Sequence, residues 1–78
     1  MSVTAYVLIQ TEVGRAEKVA KAARDISGVV TSDNVAGPYD VIVKADADTL
    51  DELGQLVVSA IQKVDGITRT FTCPIVNL

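Results

Sequence analysis

Near the middle of the chain, Val35-Ala36-Gly37-Pro38-Tyr39-Asp40-Val41-Ile42 sets an aromatic ring and a carboxylate directly after a turn signal. Glycine accepts positive φ and proline presets φ at the second position of a tight turn. A carboxylate held on such a rigid turn can pair with a cationic group of a ligand. It can equally do no more than support the turn through hydrogen bonds to the backbone, and spacing alone leaves both readings open. Tyr39 carries the same choice between packing at the turn and covering a ligand.

The remaining chemistry is thin. Asp46, Asp48, Asp51 and Glu52 lie close together, and they read as a solvated loop followed by the start of a helix. Cys73, the single cysteine, reads as a buried small apolar residue rather than a reactive thiol. With no histidine and one cysteine, the usual parts of a zinc site and of Cys/His or Ser/His nucleophilic catalysis are missing. The glycines form neither G-x-G-x-x-G nor a Walker loop. The expectation is a protein without catalytic residues, metal or cofactor.

At 78 residues the chain makes a single domain. A domain this small buries a modest share of its surface, so self-association is expected to add burial. Hydrophobic residues make up 49%, almost all Val, Ile, Leu and Ala, against one Phe, two Tyr and no Trp. The net charge is −3 and Lys and Arg do not cluster, which argues against direct contact with nucleic acid. No apolar run approaches a membrane span, and Met1-Ser2-Val3-Thr4 leads straight into a strand without a signal segment. A cytoplasmic protein, soluble and without a membrane partner, is the simplest reading.

The elements follow from periodicity. Val3 to Thr11 alternates with both faces apolar, Ala5, Val7 and Ile9 on one side and Tyr6 and Leu8 on the other. Arg15 to Ile26 is an amphipathic helix with Ala16, Val19, Ala20, Ala23 and Ile26 as its stripe, a favourable Glu17–Lys21 pair, and Gly28 as its left-handed cap. Val29 to Ala36 and Asp40 to Ala45 form a hairpin around Gly37-Pro38. Thr49-Leu50-Asp51-Glu52 is a capping box opening a second helix, whose stripe is Leu50, Leu53, Val57, Ile61 and Val64, widened by Leu56 and Ala60. Gly54 inside it marks either a close contact or a tolerated weakness. Ile67 to Cys73 is the last strand, with Ile67, Arg69, Phe71 and Cys73 on one face and Thr68, Thr70 and Thr72 on the other, followed by Pro74 and an apolar tail, Ile75 to Leu78.

The order β-α-β-β-α-β predicts an α+β, ferredoxin-like sandwich: a four-stranded antiparallel sheet with both helices on one face. The opposite face then needs cover, and a second copy supplies it most simply, giving a dimer through the sheet.

Taken together, Val35-Ala36-Gly37-Pro38-Tyr39-Asp40-Val41-Ile42-Val43-Lys44, the capped helix after it, and Gly66-Ile67-Thr68-Arg69-Thr70-Phe71-Thr72 resemble the effector domain, or RAM domain, of the Lrp/AsnC transcription regulators. The resemblance covers essentially the whole chain, and its most specific part is the Gly-x-Tyr-Asp turn. It implies the same βαββαβ fold, dimers joined through their sheets, rings of dimers, and small effectors, usually amino acids, bound between neighbouring dimers. It carries the ligand-binding role to Gly37, Tyr39 and Asp40, with Pro38 inside the turn, and to Thr70 and Thr72 on the last strand. Asp40 would pair with an α-ammonium, backbone N–H groups of the turn with an α-carboxylate, and the two hydroxyls would complete the polar set.

Full-length members of that family carry a helix-turn-helix domain ahead of the first strand, and nothing here corresponds to one. Pro38 and Cys73-Pro74 also depart from the family's commonest pattern. The expectation is a stand-alone RAM-like domain over residues 1–78 that binds a small effector, assembles, and modulates a full-length regulator. The competing expectations are a structural assembly protein without ligand, and a small ferredoxin-like dimeric enzyme, against which the missing histidine and acid–base pair weigh.

Overall fold

A computed structural model of the chain describes residues 2–76, apart from the side chain of Leu56. Strand β1 (Val3–Thr11) leads into helix α1 (Ala16–Arg24), then β2 (Val29–Asn34) and β3 (Val41–Ala47). A second helical rod, α2, follows in three consecutive parts: α-helical Leu50–Glu52, π-helical Leu53–Val58 and α-helical Ser59–Gln62. Strand β4 (Ile67–Pro74) completes an antiparallel sheet of order β2-β3-β1-β4. This is the expected ferredoxin-like α+β arrangement.

The core lies between the sheet and the helices. Ala5, Val7 and Ile9 of β1 and Val41, Val43 and Ala45 of β3 are fully buried against Val19, Ala20 and Ala23 of α1 and Leu53, Val57 and Ile61 of α2. The register sets Val7 opposite Val43 and Ile9 opposite Val41, so the period-2 pattern of each strand puts one apolar set under the helices. Each such Val or Ile contributes about 1.5–3 kcal/mol by leaving water. Ser32 is the buried polar residue; its hydroxyl donates to the Ala20 carbonyl at 2.9 Å, which ties β2 to α1 without an unmet donor.

Several expectations need correction. The hairpin is not tight: β2 ends at Asn34, and residues 35–40 form a longer connection closed by the Val35 N–H donating to the Asp40 carbonyl at 3.0 Å. Ile67 does not share a face with Phe71. The β1–β4 register shifts beyond Gln10, with Thr11 opposite Ile67 and Gln10 opposite Arg69, so Thr68 is bulged out and Ile67 turns in to pack on the core. Cys73 is exposed, because it pairs with Tyr6 on the uncovered face. Leu50 is also exposed, in the first turn of α2 before the rod reaches the sheet. Glu17 and Lys21 form no ion pair; the salt bridge among the described residues joins Arg15 to Asp65 at 3.4 Å. Of the apolar tail, Ile75 and Val76 are exposed, and Asn77 and Leu78 lie outside the described residues.

Local rules account for the start of α2. The Thr49 hydroxyl accepts from the Glu52 N–H at 3.1 Å, which is the threonine half of the expected capping box; the reciprocal bond to the Glu52 carboxylate is not formed among the described residues. The π-helical stretch is not legible in the sequence; it is seen where the Ser59 N–H reaches back to the Gly54 carbonyl. Gly54 has open space around it, so of its two readings the tolerated weakness holds.

The two glycines therefore predict opposite results. Gly28 has φ +96°, and a Cβ there would stand 2.5 Å from Val57 Cγ2 and 3.0 Å from the Asp46 carbonyl oxygen. Gly28→Ala is expected to lower unfolding free energy by about 2 kcal/mol or more, from overpacking together with backbone strain. Gly54→Ala is expected to raise it, by up to about 1 kcal/mol. Urea unfolding followed by circular dichroism measures both.

Candidate functional site

The loop carrying Gly37, Pro38, Tyr39 and Asp40 leads into β3 and folds back against β1. The Asp40 N–H donates to the Ile9 carbonyl at 2.9 Å, continuing the β1–β3 ladder one step past the strand. Asp40 Oδ2 accepts from the Thr11 N–H at 2.8 Å and from the Thr11 hydroxyl at 3.3 Å. The half-buried carboxylate thus satisfies the last backbone donor of β1, and one of its oxygens is already engaged. Of the two readings of Asp40, the supporting one is realised in this chain, through Oδ2, and Oδ1 has no hydrogen-bond partner among the described residues. Gly37 has φ +144° with nothing within 4 Å of a Cβ, so it serves backbone conformation rather than close packing.

Pro38 contributes its carbonyl, which accepts from the Gln10 side-chain amide at 3.0 Å. Tyr39 packs edge-to-face on Phe71, with ring centroids 5.9 Å apart and an interplanar angle of 75°. Phe71 stands opposite Leu8, and Leu8 alternates with the buried Val7 and Ile9, so Tyr39 and Phe71 lie on the face of the sheet away from the helices. The Arg69 guanidinium rests 5.6 Å from the centre of the Phe71 ring. A turn, two aromatic rings, a primary amide and a guanidinium are thereby gathered at one end of the open face.

Thr70 and Thr72 fall elsewhere. They pair with Ile9 and Val7, which face the helices, and the Thr70 hydroxyl accepts from the Gln62 side chain at 3.2 Å. Within one protomer the sheet separates these two hydroxyls from the aromatic side of the turn. The structure adds Gln10, Thr11, Arg69 and Phe71 to the surroundings of the turn. Alternation along β1 and β4 already puts Gln10, Arg69 and Phe71 on the open face; their meeting with Tyr39 depends on strand order.

Three of the four acidic residues set aside in the sequence, all but Asp51, border a cavity of about 570 Å³ at the opposite end of β3. Asp46, Asp48 and Glu52 line it together with Ile26, Gly28 and Val57. Asp46 accepts from the Thr4 hydroxyl at 2.6 Å. Among the described residues no group of three or more His, Cys, Asp or Glu side chains is placed to hold a metal ion. No helix of the described residues is long and apolar enough to cross a membrane.

The profile of the Lrp/AsnC ligand binding domain matches residues 4–77. An uncharacterized HTH-type transcriptional regulator of Pyrococcus furiosus is 32% identical over 75 residues, covering 92% of this chain and 50% of the regulator. The chain spans about half the length of the curated relatives it matches. Among solved structures, a hypothetical protein of Pyrococcus horikoshii is 33% identical with a TM-score of 0.86, covering 97% of this chain and 92% of its own. A protein of Thermus thermophilus is 28% identical with a TM-score of 0.88, over 97% and 95%. The fold alone is shared with a transcriptional regulator of Neisseria meningitidis solved as an L-Met complex, at 13% identity and a TM-score of 0.81, over 96% of this chain and 50% of the regulator's.

The Asp40–Thr11 contact makes a stability prediction separate from any ligand. Asp40→Ala strands the Thr11 N–H and is expected to cost about 1–3 kcal/mol, while Asp40→Asn, which keeps an acceptor oxygen, costs less. Denaturant midpoints of the two variants and the parent measure the difference.

Proposed function

Since the chain belongs to the Lrp/AsnC ligand binding domain family, we propose that it is an effector-binding and oligomerisation module whose ligand is a small molecule, an amino acid before others. The observation that carries this reading is the cluster at the open face, where the Gly37–Asp40 turn meets Tyr39, Phe71, Gln10 and Arg69. Such a cluster offers apolar walls beside a few placed polar groups, the usual make-up of a small-ligand site. The L-Met bound to the Neisseria meningitidis regulator supports an amino acid as the class to try first. In this reading Asp40 Oδ1 meets the ligand's ammonium, and Thr70 and Thr72 serve from the other side of edge strand β4, at contacts between copies. The module works in the cytoplasm with full-length regulators of the family, acts through them rather than on DNA itself, and catalyses nothing.

Self-association is proposed through the open face of the sheet. Tyr6 and Phe71 are each about two-fifths exposed there, and Leu8 stands between Ile42 and Phe71. Covering this face with a second copy removes apolar area from water and leaves the helices outside. Leu8→Lys sets a charge in the middle of that face. It is expected to convert the assembly to a smaller species in sedimentation velocity, with the circular dichroism of the fold kept; an unchanged sedimentation coefficient places the interface elsewhere.

A second reading, an assembly protein that takes no ligand, is favoured by one observation: Asp40 already has a partner in Thr11. Thermal unfolding with each common amino acid in excess separates the two. An effector at a hundredfold excess over its dissociation constant stabilises the native state by about 2.7 kcal/mol, seen as a raised midpoint. A rise with one or a few amino acids, lost in Tyr39→Ala, supports the effector module; no rise across the set supports the assembly role.

A further inference from the structure

The chain has three arginines, and they are not used alike. Arg15 pairs with the Asp65 carboxylate, and Arg24 Nε donates to the Ser32 carbonyl at 3.0 Å. Arg69 has neither kind of partner among the described residues; its guanidinium lies on the Phe71 ring instead. A guanidinium held by an aromatic face keeps its N–H edge available, and that edge matches the two oxygens of a carboxylate.

Its position adds to this. Arg69 stands opposite Gln10, whose amide is tied to the Pro38 carbonyl, and Phe71 follows two residues later on the same face. Tyr39 reaches from the turn to Phe71, so both rings stand on the face of the sheet that Gln10 and Arg69 share. Asp40, by contrast, has Oδ2 committed to Thr11. The guanidinium is therefore the charged group of the cluster with its hydrogen-bonding capacity uncommitted.

We propose that Arg69 anchors the ligand's carboxylate and so determines specificity: the site takes a small carboxylate that bears an apolar group packed against the joined rings of Tyr39 and Phe71. This rests on the effector-binding reading of the same site and goes beyond it by naming the anchor and the ligand group it selects. One guanidinium suits a single negative charge, and the aromatic rings disfavour a bare, heavily hydrated anion.

The test takes the amino acid that most raises the melting midpoint and measures its affinity by calorimetry, beside its α-carboxamide and inorganic phosphate. The parent is expected to bind the acid at least tenfold more tightly than the amide, and phosphate more weakly than either. Arg69→Gln, on a side chain exposed in the single protomer and checked for an unchanged fold by circular dichroism and an unchanged assembly by sedimentation velocity, is expected to weaken the acid about tenfold or more and to erase the preference for acid over amide. Arg69→Lys is expected to retain part of that preference. An undiminished affinity in Arg69→Gln, or a preference for acid over amide that survives the substitution, overturns the role of Arg69 and leaves the effector reading standing. Phosphate binding as tightly as the acid overturns the ligand class. If no amino acid binds the parent, both this proposal and the reading beneath it fall.

Discussion

Everything in this fold depends on the burial of one face of β1. That strand is central, with β3 on one side and β4 on the other, and Ala5, Val7 and Ile9 make the floor on which both helices rest. A slip of one residue would exchange this floor for Thr4, Tyr6, Leu8 and Gln10, so the register is held by the whole core at once. The partners follow from it: Val41 and Val43 come under the helices because they pair with Ile9 and Val7. The small side chains of α1, Ala20 and Ala23, let that helix lie close on the sheet, and Gly28 lets the chain leave it beside Val57.

The same register that makes the core makes the candidate site. If the odd-numbered positions of β1 are inside, Leu8 and Gln10 are outside, and their partners Phe71 and Arg69 are outside with them. The loop after β2 is anchored by Asp40 to the end of β1, which swings Tyr39 over to Phe71. Asp40 is thus structural in this chain whatever else it does: its hydrogen bonds to Thr11 hold the turn in place, and the turn holds the aromatic ring. The acid-lined cavity at the far end of β3 is built from the parts next to Gly28 and the cap of α2, and the aromatic cluster at the other end shares none of its residues with it.

Much of this is legible in the residues. The alternation of Val3–Thr11, the alanine-rich stripe of α1, the capping threonine at Thr49 and the glycine ends of both helices predict the order of elements, because each is a local rule with a period or a cap. The failures come from non-local causes. Strict alternation assigns Ile67 to the wrong face because a bulge at Thr68 is visible only when β4 is laid against β1. Residue type places Cys73 inside, yet its pairing with Tyr6 puts it on the uncovered face. The π-helical stretch of α2 leaves no mark on the apolar stripe, since Leu53, Val57 and Ile61 face inward all the same.

Periodicity, capping and turn chemistry act between residues near in the chain. They are enough to specify the class of fold, the two-sided apolar character of the central strand, and a connection through Gly37-Pro38-Tyr39-Asp40, though not its length. What that turn does is settled in the packed molecule. Whether Asp40 is free or bonded to Thr11, and which ring Tyr39 meets, depend on residues about 30 positions apart being brought together by strand order and register. Which arginine has no oxygen partner among the described residues depends on the same assembly of strands. Hydrogen bonds and ring contacts act over a few ångströms, and spacing along the chain has no access to distances that the core alone sets.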